Sequence, residues 1–166
     1  MKAFQSLVLS FGLLVYLSGM ALAQESTTTY TNEEIGFSIE HPVSWKNAKV
    51  QGGKIVVLFM GGAFNRNVQV MYDKGDEEAG IAALERLAKI LRTQKELTAE
   101  WKVINGLRSF VQVVEWKSAL GNSNAIRLMA PLGDRYFLVM GVSPAGEFQK
   151  LRPLLEKCVF SFKITK

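Results

Sequence analysis

Residues 30–45 read Tyr30-Thr-Asn-Glu-Glu-Ile-Gly-Phe-Ser-Ile-Glu-His-Pro-Val-Ser-Trp45, and the fold is decided there. A polar run ends at Glu34, and Gly36 lets the backbone turn. Phe37-Ser38-Ile39-Glu40 then alternates apolar and polar residues, the pattern of a half-buried strand. Pro42 ends that strand by removing a ladder donor. Trp45, three residues on, is placed to fold back over it. Phe37, Ile39 and Trp45 are therefore the expected first corner of a core.

The rest of the chain continues this pattern. Lys46–Val50 reads as a short strand, Gln51-Gly52-Gly53-Lys54 as a turn, and the apolar Ile55–Met60 as a strand covered on both faces. Gly61–Arg66 is an expected loop, and Asn67–Asp73 a strand with Val68, Val70 and Tyr72 on one face. Asp76–Thr93 is the strongest helix: Asp76 caps it, Glu77 and Glu78 suit its positive end, and Ile81, Leu84, Leu87, Ala88 and Leu91 form one apolar stripe. Three further segments, Thr98–Ile104, Arg108–Lys117 and Ala125–Ala130, precede a fourth, Arg135–Val142. They are joined by Asn105-Gly106, Gly121–Asn124 and Pro131–Asp134, short turns that imply an antiparallel meander. Ser143 and Pro144 open an expected last helix whose stripe is Phe148, Leu151, Leu155 and Cys158, with Pro153 set to kink it. Two one-striped helices and a sheet apolar on both faces give an α+β, three-layer α/β/α sandwich with a central antiparallel sheet.

The opening stretch, with its aromatic, acidic spacer, Gly-Phe-Ser-Ile, Pro and Trp, resembles the start of the PsbP-like and DcrB-like domains. Cys158-Val159-Phe160-Ser161-Phe162-Lys163 is similar to the closing Ser-Phe motif of that family. The resemblance spans roughly Tyr30 to Lys163, within a domain of residues 30–166. It implies an α/β/α sandwich, an extracytoplasmic location and a non-catalytic role, often in assembling or stabilising a membrane complex. The plant members resembled here bind photosystem II, though no residue of this chain demands that partner.

The first 23 residues look like a secretory signal peptide: Lys2 supplies charge, Leu7–Leu17 the apolar run, and Ala21-Leu22-Ala23 the small cleavage site. The alternative is an uncleaved anchor, since Ala3–Ala23 is just long enough to cross a bilayer. Cleavage would make Gln24 the first mature residue, and Gln24–Thr29 reads as a disordered segment. Periplasm, the extracellular space and the thylakoid lumen are the expected locations. No cysteine lies near the cleavage site to carry a lipid.

The chain of 166 residues carries a net charge of +5, and its basic residues are scattered rather than clustered with aromatics, which argues against nucleic acid. A mildly basic exported protein can dock on acidic partners or anionic lipid, which leaves peripheral membrane association open, or carry its charge as an ordinary solvated surface; an envelope or thylakoid-lumen protein complex as partner is what the resemblance implies. With one cysteine, Cys158, there is no intramolecular disulfide. The single histidine, His41, is the only imidazole, so imidazole-assisted nucleophilic chemistry would have to use it, and thiol chemistry would have to use Cys158. Both read as structural: His41 at a strand end, Cys158 on a core stripe.

One histidine and one cysteine do not make a zinc site. The densest acids, Asp73, Asp76, Glu77 and Glu78, also make an ordinary helix start. The glycine pairs lie between strands, not before a helix, and so are not a phosphate cradle. No catalytic, cofactor-binding or metal residue is assigned, and no cofactor is expected. Three functions remain: a non-catalytic module for a protein partner, a small-ligand or lipid-binding module with a pocket between sheet and helix, and an enzyme.

Overall fold

The computed structural model describes residues 25–50, 53–62, 65–118 and 121–166. Its strands are Thr27–Asn32 (β1), Phe37–Pro42 (β2), Lys46–Asn47 (β3), Ile55–Met60 (β4), Asn67–Lys74 (β5), Lys95–Ile104 (β6), Leu107–Ser118 (β7), Gly121–Leu132 (β8), Arg135–Pro144 (β9) and Lys163–Ile164 (β10). Its helices are Glu77–Ile90 (α1) and Phe148–Phe160 (α2), the second preceded by a single 3₁₀ turn at Ala145–Glu147. Seven strands form one sheet in the order β3-β4-β5-β9-β8-β7-β6, antiparallel at every pairing. α1 covers one face; α2 and a small second sheet, β1-β2-β10, cover the other. This is the expected α/β/α sandwich with a central antiparallel sheet.

The face under α2 holds the main core. Phe37, Ile39, Val68, Phe137, Val139, Leu155, Cys158 and Val159 are fully buried there. The opening and closing motifs meet in it. Phe37, Phe137 and Phe162 form a triangle of rings with centroids 5.2 to 6.0 Å apart. Lys163 and Ile164 pair with Ser38 and Phe37, so the two motifs are strands of one small sheet. Ser161 gives its hydroxyl to the Cys158 carbonyl at 2.6 Å and accepts the Glu40 amide at 2.7 Å, joining the end of α2 to β2. Trp45 is buried as expected, its indole lying against Gly61, where an added Cβ would fall 2.5 Å from the ring.

The expected signal peptide, Met1–Ala23, and Gln24 lie outside the described residues. Several local expectations among the described residues are corrected. Of the segment expected to be disordered, Thr27–Thr29 belongs to β1. Its β-branched threonines pair with β2, and Thr27 donates to Glu40 at 2.5 Å. The strand after Arg66 and the meander are where the pattern placed them, but Gly121–Asn124 is strand, with Ser123 and Asn124 buried and paired to Pro144 and Ser143. Ser143 consequently caps no helix; it stays in β9, and α2 begins at Phe148. Pro153 sits within α2 without breaking it. α1 has its Asp76 cap, accepting from the Ala79 amide at 3.0 Å, but ends at Ile90 rather than Thr93. Gly80 lets α1 approach closely: a Cβ there would stand 2.7 Å from Met129 Sδ. Trp116 is half-buried against Val114, Ala125, Met140 and Val142. No helix among the described residues is long and apolar enough to cross a membrane.

Candidate functional site

Register places the residues on the α1 face of the sheet in rows. Met71, Leu138, Met129 and Phe110 are adjacent across β5, β9, β8 and β7, and α1 packs on this row. Two residues along each strand lies the next row on the same face: Leu58, Gln69, Met140, Arg127 and Gln112. α1 ends over this row and leaves a groove of about 380 Å³. Leu58, Leu87, Ile90, Leu91, Trp116 and Met140 give it apolar walls; Asn65, Asn67, Gln69, Ser123 and Arg127 are its polar lining.

Arg127 is the feature that sets this groove apart. It stands in Ala125-Ile126-Arg127-Leu128-Met129 of β8, a strand flanked on both sides, and is 2% exposed. One terminal nitrogen donates to Gln94 Oε1 at 2.8 Å. The Trp116 ring centroid lies 5.8 Å from the guanidinium carbon. Nε is buried without a hydrogen-bond partner. No carboxylate among the described residues pairs with Arg127, and Glu96, bound to the Gln112 amide at 2.6 Å, is otherwise engaged. Burial alone pulls the guanidinium down to about 10, so it remains charged at neutral pH. A buried charge is tolerated when paired, and this one is not.

The flank of α1 beside the groove, where Leu87 and Ile90 border both, makes a useful contrast. A cleft of about 220 Å³ there is lined by Lys54, Asp73, Arg86 and Tyr136, among others. Its acid is compensated: Asp73 pairs with Lys54 and accepts the Tyr136 hydroxyl at 3.1 Å. These bonds, that of Lys54 foremost, hold the Asp73 carboxyl below its ordinary range, while burial and the Asp73 charge push the Tyr136 phenol up. Glu77 of the acidic group pairs with Arg108, and Asp76 is spent on the helix cap. Among the described residues, no group of three or more His, Cys, Asp or Glu is placed to hold a metal ion.

The two residues considered for chemistry are used in packing. The His41 ring stacks on Phe59 with centroids 3.7 Å apart, and its Nδ1 lies 3.0 Å from the Pro42 carbonyl. Cys158 is fully buried on the inner side of α2. Burial first, and the Glu40 charge second, push its thiol up to about 12, the reverse of what a nucleophile needs. Sequence reasoning passed over Arg127. The signal was there: a lone cation between apolar neighbours, in a strand whose neighbours on both sides also read as buried.

No family model matches the chain, and no curated protein sequence matches it. Solved structures do. The solution structure of cyanobacterial PsbP (CyanoP) from Synechocystis sp. PCC 6803 superposes with a TM-score of 0.67, at 12% identity over 92% of this chain and 99% of that one. LpqN, involved in cell envelope biogenesis of Mycobacterium tuberculosis, gives a TM-score of 0.55 at 8% identity, covering 85% of this chain and 91% of that one. A protein of Bacteroides thetaiotaomicron gives 0.56 at 15% identity, with 86% of this chain matching 49% of that one. At such identities the likeness is one of fold: the chain folds as a PsbP-like domain.

Proposed function

We propose that this PsbP-like module is exported and works by binding rather than by catalysis, and that the groove at the end of α1 is where it binds. The observation that carries the reading is Arg127: a buried, unpaired cation at an otherwise uncharged groove is a site waiting for an anionic group. Of the two binding roles expected from the sequence, this favours a small-ligand or lipid-binding module with its pocket between sheet and helix. The N-terminal Met1–Ala23 pattern supports export to the periplasm, the extracellular space or the thylakoid lumen. The packing of His41 on Phe59 and the burial of Cys158 on the inner side of α2, which pushes its thiol up, support the non-catalytic part. Native mass spectrometry of the protein from its host tests the reading. A bound mass carried by the wild type and absent from Arg127→Gln is expected; a wild type that carries nothing, and takes up nothing in solution, defeats it.

A second reading, docking on a partner protein or membrane complex, rests on β6. This ten-residue strand is an edge of the large sheet, and Leu97, Trp101 and Val103 on it are 42%, 37% and 72% exposed. A partner strand can add to such an edge. The charges on β6, Lys95, Glu96, Glu100 and Lys102, guard it against indiscriminate pairing. Pull-down from envelope membranes, with Trp101→Lys as the variant, measures this role: loss of the captured complex supports it, and unchanged capture removes the β6 edge as the docking surface. A photosystem II complex is the partner to look for where the host is photosynthetic.

A further inference from the structure

We infer that the α1 groove takes a single-chain amphiphile bearing one carboxylate, a molecule of fatty-acid type. Its head pairs with Arg127, and its chain lies along Leu58, Leu87, Ile90, Trp116 and Met140. This rests on the groove being the binding site and goes further by naming the chemical class it holds.

The charge count selects the head. Among the described residues that line the groove, Arg127 is the one that carries a charge. A monoanion balances it. A phosphate monoester, with its second charge, would leave a negative charge uncompensated beside apolar walls, at the cost that burying any unpaired charge carries. One terminal nitrogen of Arg127 is occupied by Gln94, whereas Nε has no partner, so the side chain still has a donor to offer. A carboxylate accepts from a guanidinium through paired, charge-assisted bonds that are roughly twice as strong as neutral ones.

The walls select the tail. The last turn of α1 contributes Leu87 and Ile90 to the groove lining, and the sheet contributes Leu58 and Met140. Ile90 is 74% exposed and marks the mouth. At about 380 Å³ the groove lies near the small end of ligand pockets, which suits one chain rather than the two of a diacyl lipid. Trp116, half-buried on the sheet floor, is where a bound chain would be seen by fluorescence.

α1 ends at the groove, where Leu91, with φ −87° and ψ 55°, donates its amide to the Leu87 carbonyl. The chain then returns through Gln94, whose side chain steadies Arg127 from the side.

Calorimetric titration of the full-length protein with decanoate, decanol and decyltrimethylammonium at pH 7.5 tests the inference. Decanoate is expected to bind, decanol at least tenfold more weakly, and the cation most weakly of all. Arg127→Gln should bring decanoate to the level of decanol, and Arg127→Lys should restore part of the difference. Ile90→Glu, at an exposed position that the fold does not depend on, should weaken decanoate tenfold or more by placing a like charge at the mouth.

Equal binding of decanoate and decanol to the wild type would overturn the carboxylate assignment while leaving the groove as a binding site. Failure of all three to bind would remove the groove itself. Tighter binding of decyl phosphate than of decanoate would overturn the charge argument. A short apolar peptide with a free C-terminal carboxylate that binds tenfold tighter than decanoate would replace the amphiphile by the tail of a protein partner.

Discussion

Arg127→Met should make the ligand-free protein more stable. In most buried positions an arginine exchanged for methionine leaves an unpaired partner behind and destabilises the fold. Here the partner set is thin. Burial pulls the guanidinium down to about 10, which corresponds to a penalty of about 3 kcal/mol on its charged form. Against that stand the bond to Gln94, worth about 1 kcal/mol, and the contact with the Trp116 ring, worth about 0.5–1 kcal/mol. Methionine keeps the length of the side chain, adapts to irregular space and loses no charge to the interior. The net expectation is a gain of about 1–2 kcal/mol, or a rise in melting temperature of about 2–8 °C for a domain of this size. Scanning calorimetry and urea denaturation of both proteins, stripped of ligand by refolding, give the two values independently. A variant destabilised by 1 kcal/mol or more would show that Arg127 is a structural residue whose charge is met within the fold. The groove would then hold no uncompensated charge to offer an anion.

Three other outcomes follow from the packing. Trp45→Ala empties the corner between β2 and Gly61 and should cost roughly 3–5 kcal/mol in urea denaturation; an unchanged midpoint would mean that the opening stretch is not a core corner. Cys158 should resist a thiol reagent at pH 8 in the native protein and react at once in denaturant, whereas rapid native modification would show that α2 opens. The bonds to Lys54 and Tyr136 hold the Asp73 carboxyl below its ordinary range, so they stabilise the fold fully above that range and fade as pH falls through the lowered one. Asp73→Asn should therefore flatten the dependence of melting temperature on pH at the acid end, and an unaltered acid limb would separate Asp73 from acid stability.

How much of this was legible in the sequence depends on how far each contact reaches. The meander was readable because its strands are joined by short turns: Asn105 and Gly106, with φ of 49° and 83°, make the tight connection their identities demand. The ends of elements were less readable. Ser123, Asn124 and Ser143 look like turn and cap residues, yet they are buried because neighbouring strands continue past them and supply their pairs. Thr27–Thr29 looks like a loose tail until β2 offers it an edge. The second sheet was not foreseen for the same reason, since β1 and β10 come from opposite ends of the domain. The resemblance had noted the two motifs at those ends; their contact through Phe37 and Phe162 is a property of the folded chain alone. Arg127 lies at the far end of this scale. Its identity was visible, but its isolation is a statement about every carboxylate in the domain.

The two faces of the sheet divide the work of the molecule. Under α2 the core is one continuous cluster, from Phe37 and Val57 through Phe137 to Leu155 and Phe162, and it ties the small sheet, the large sheet and the last helix together. Under α1 the apolar contacts split into two lesser clusters, Leu84 with Met129, Tyr136 and Leu138, and Val114 with Ala125, Met140 and Val142. Met71 and Leu87 touch both. Arg127 stands in β8 between Ala125 of one cluster and Met129 of the other, at the point where a leucine would have fused them. A sequence selected only for stability has no reason to interrupt its core there. Local rules are broken where function is placed, and the interruption is affordable because the opposite face already holds the domain together. Substitutions on the groove side should therefore cost less stability than substitutions on the α2 face, which ties both ends of the chain together.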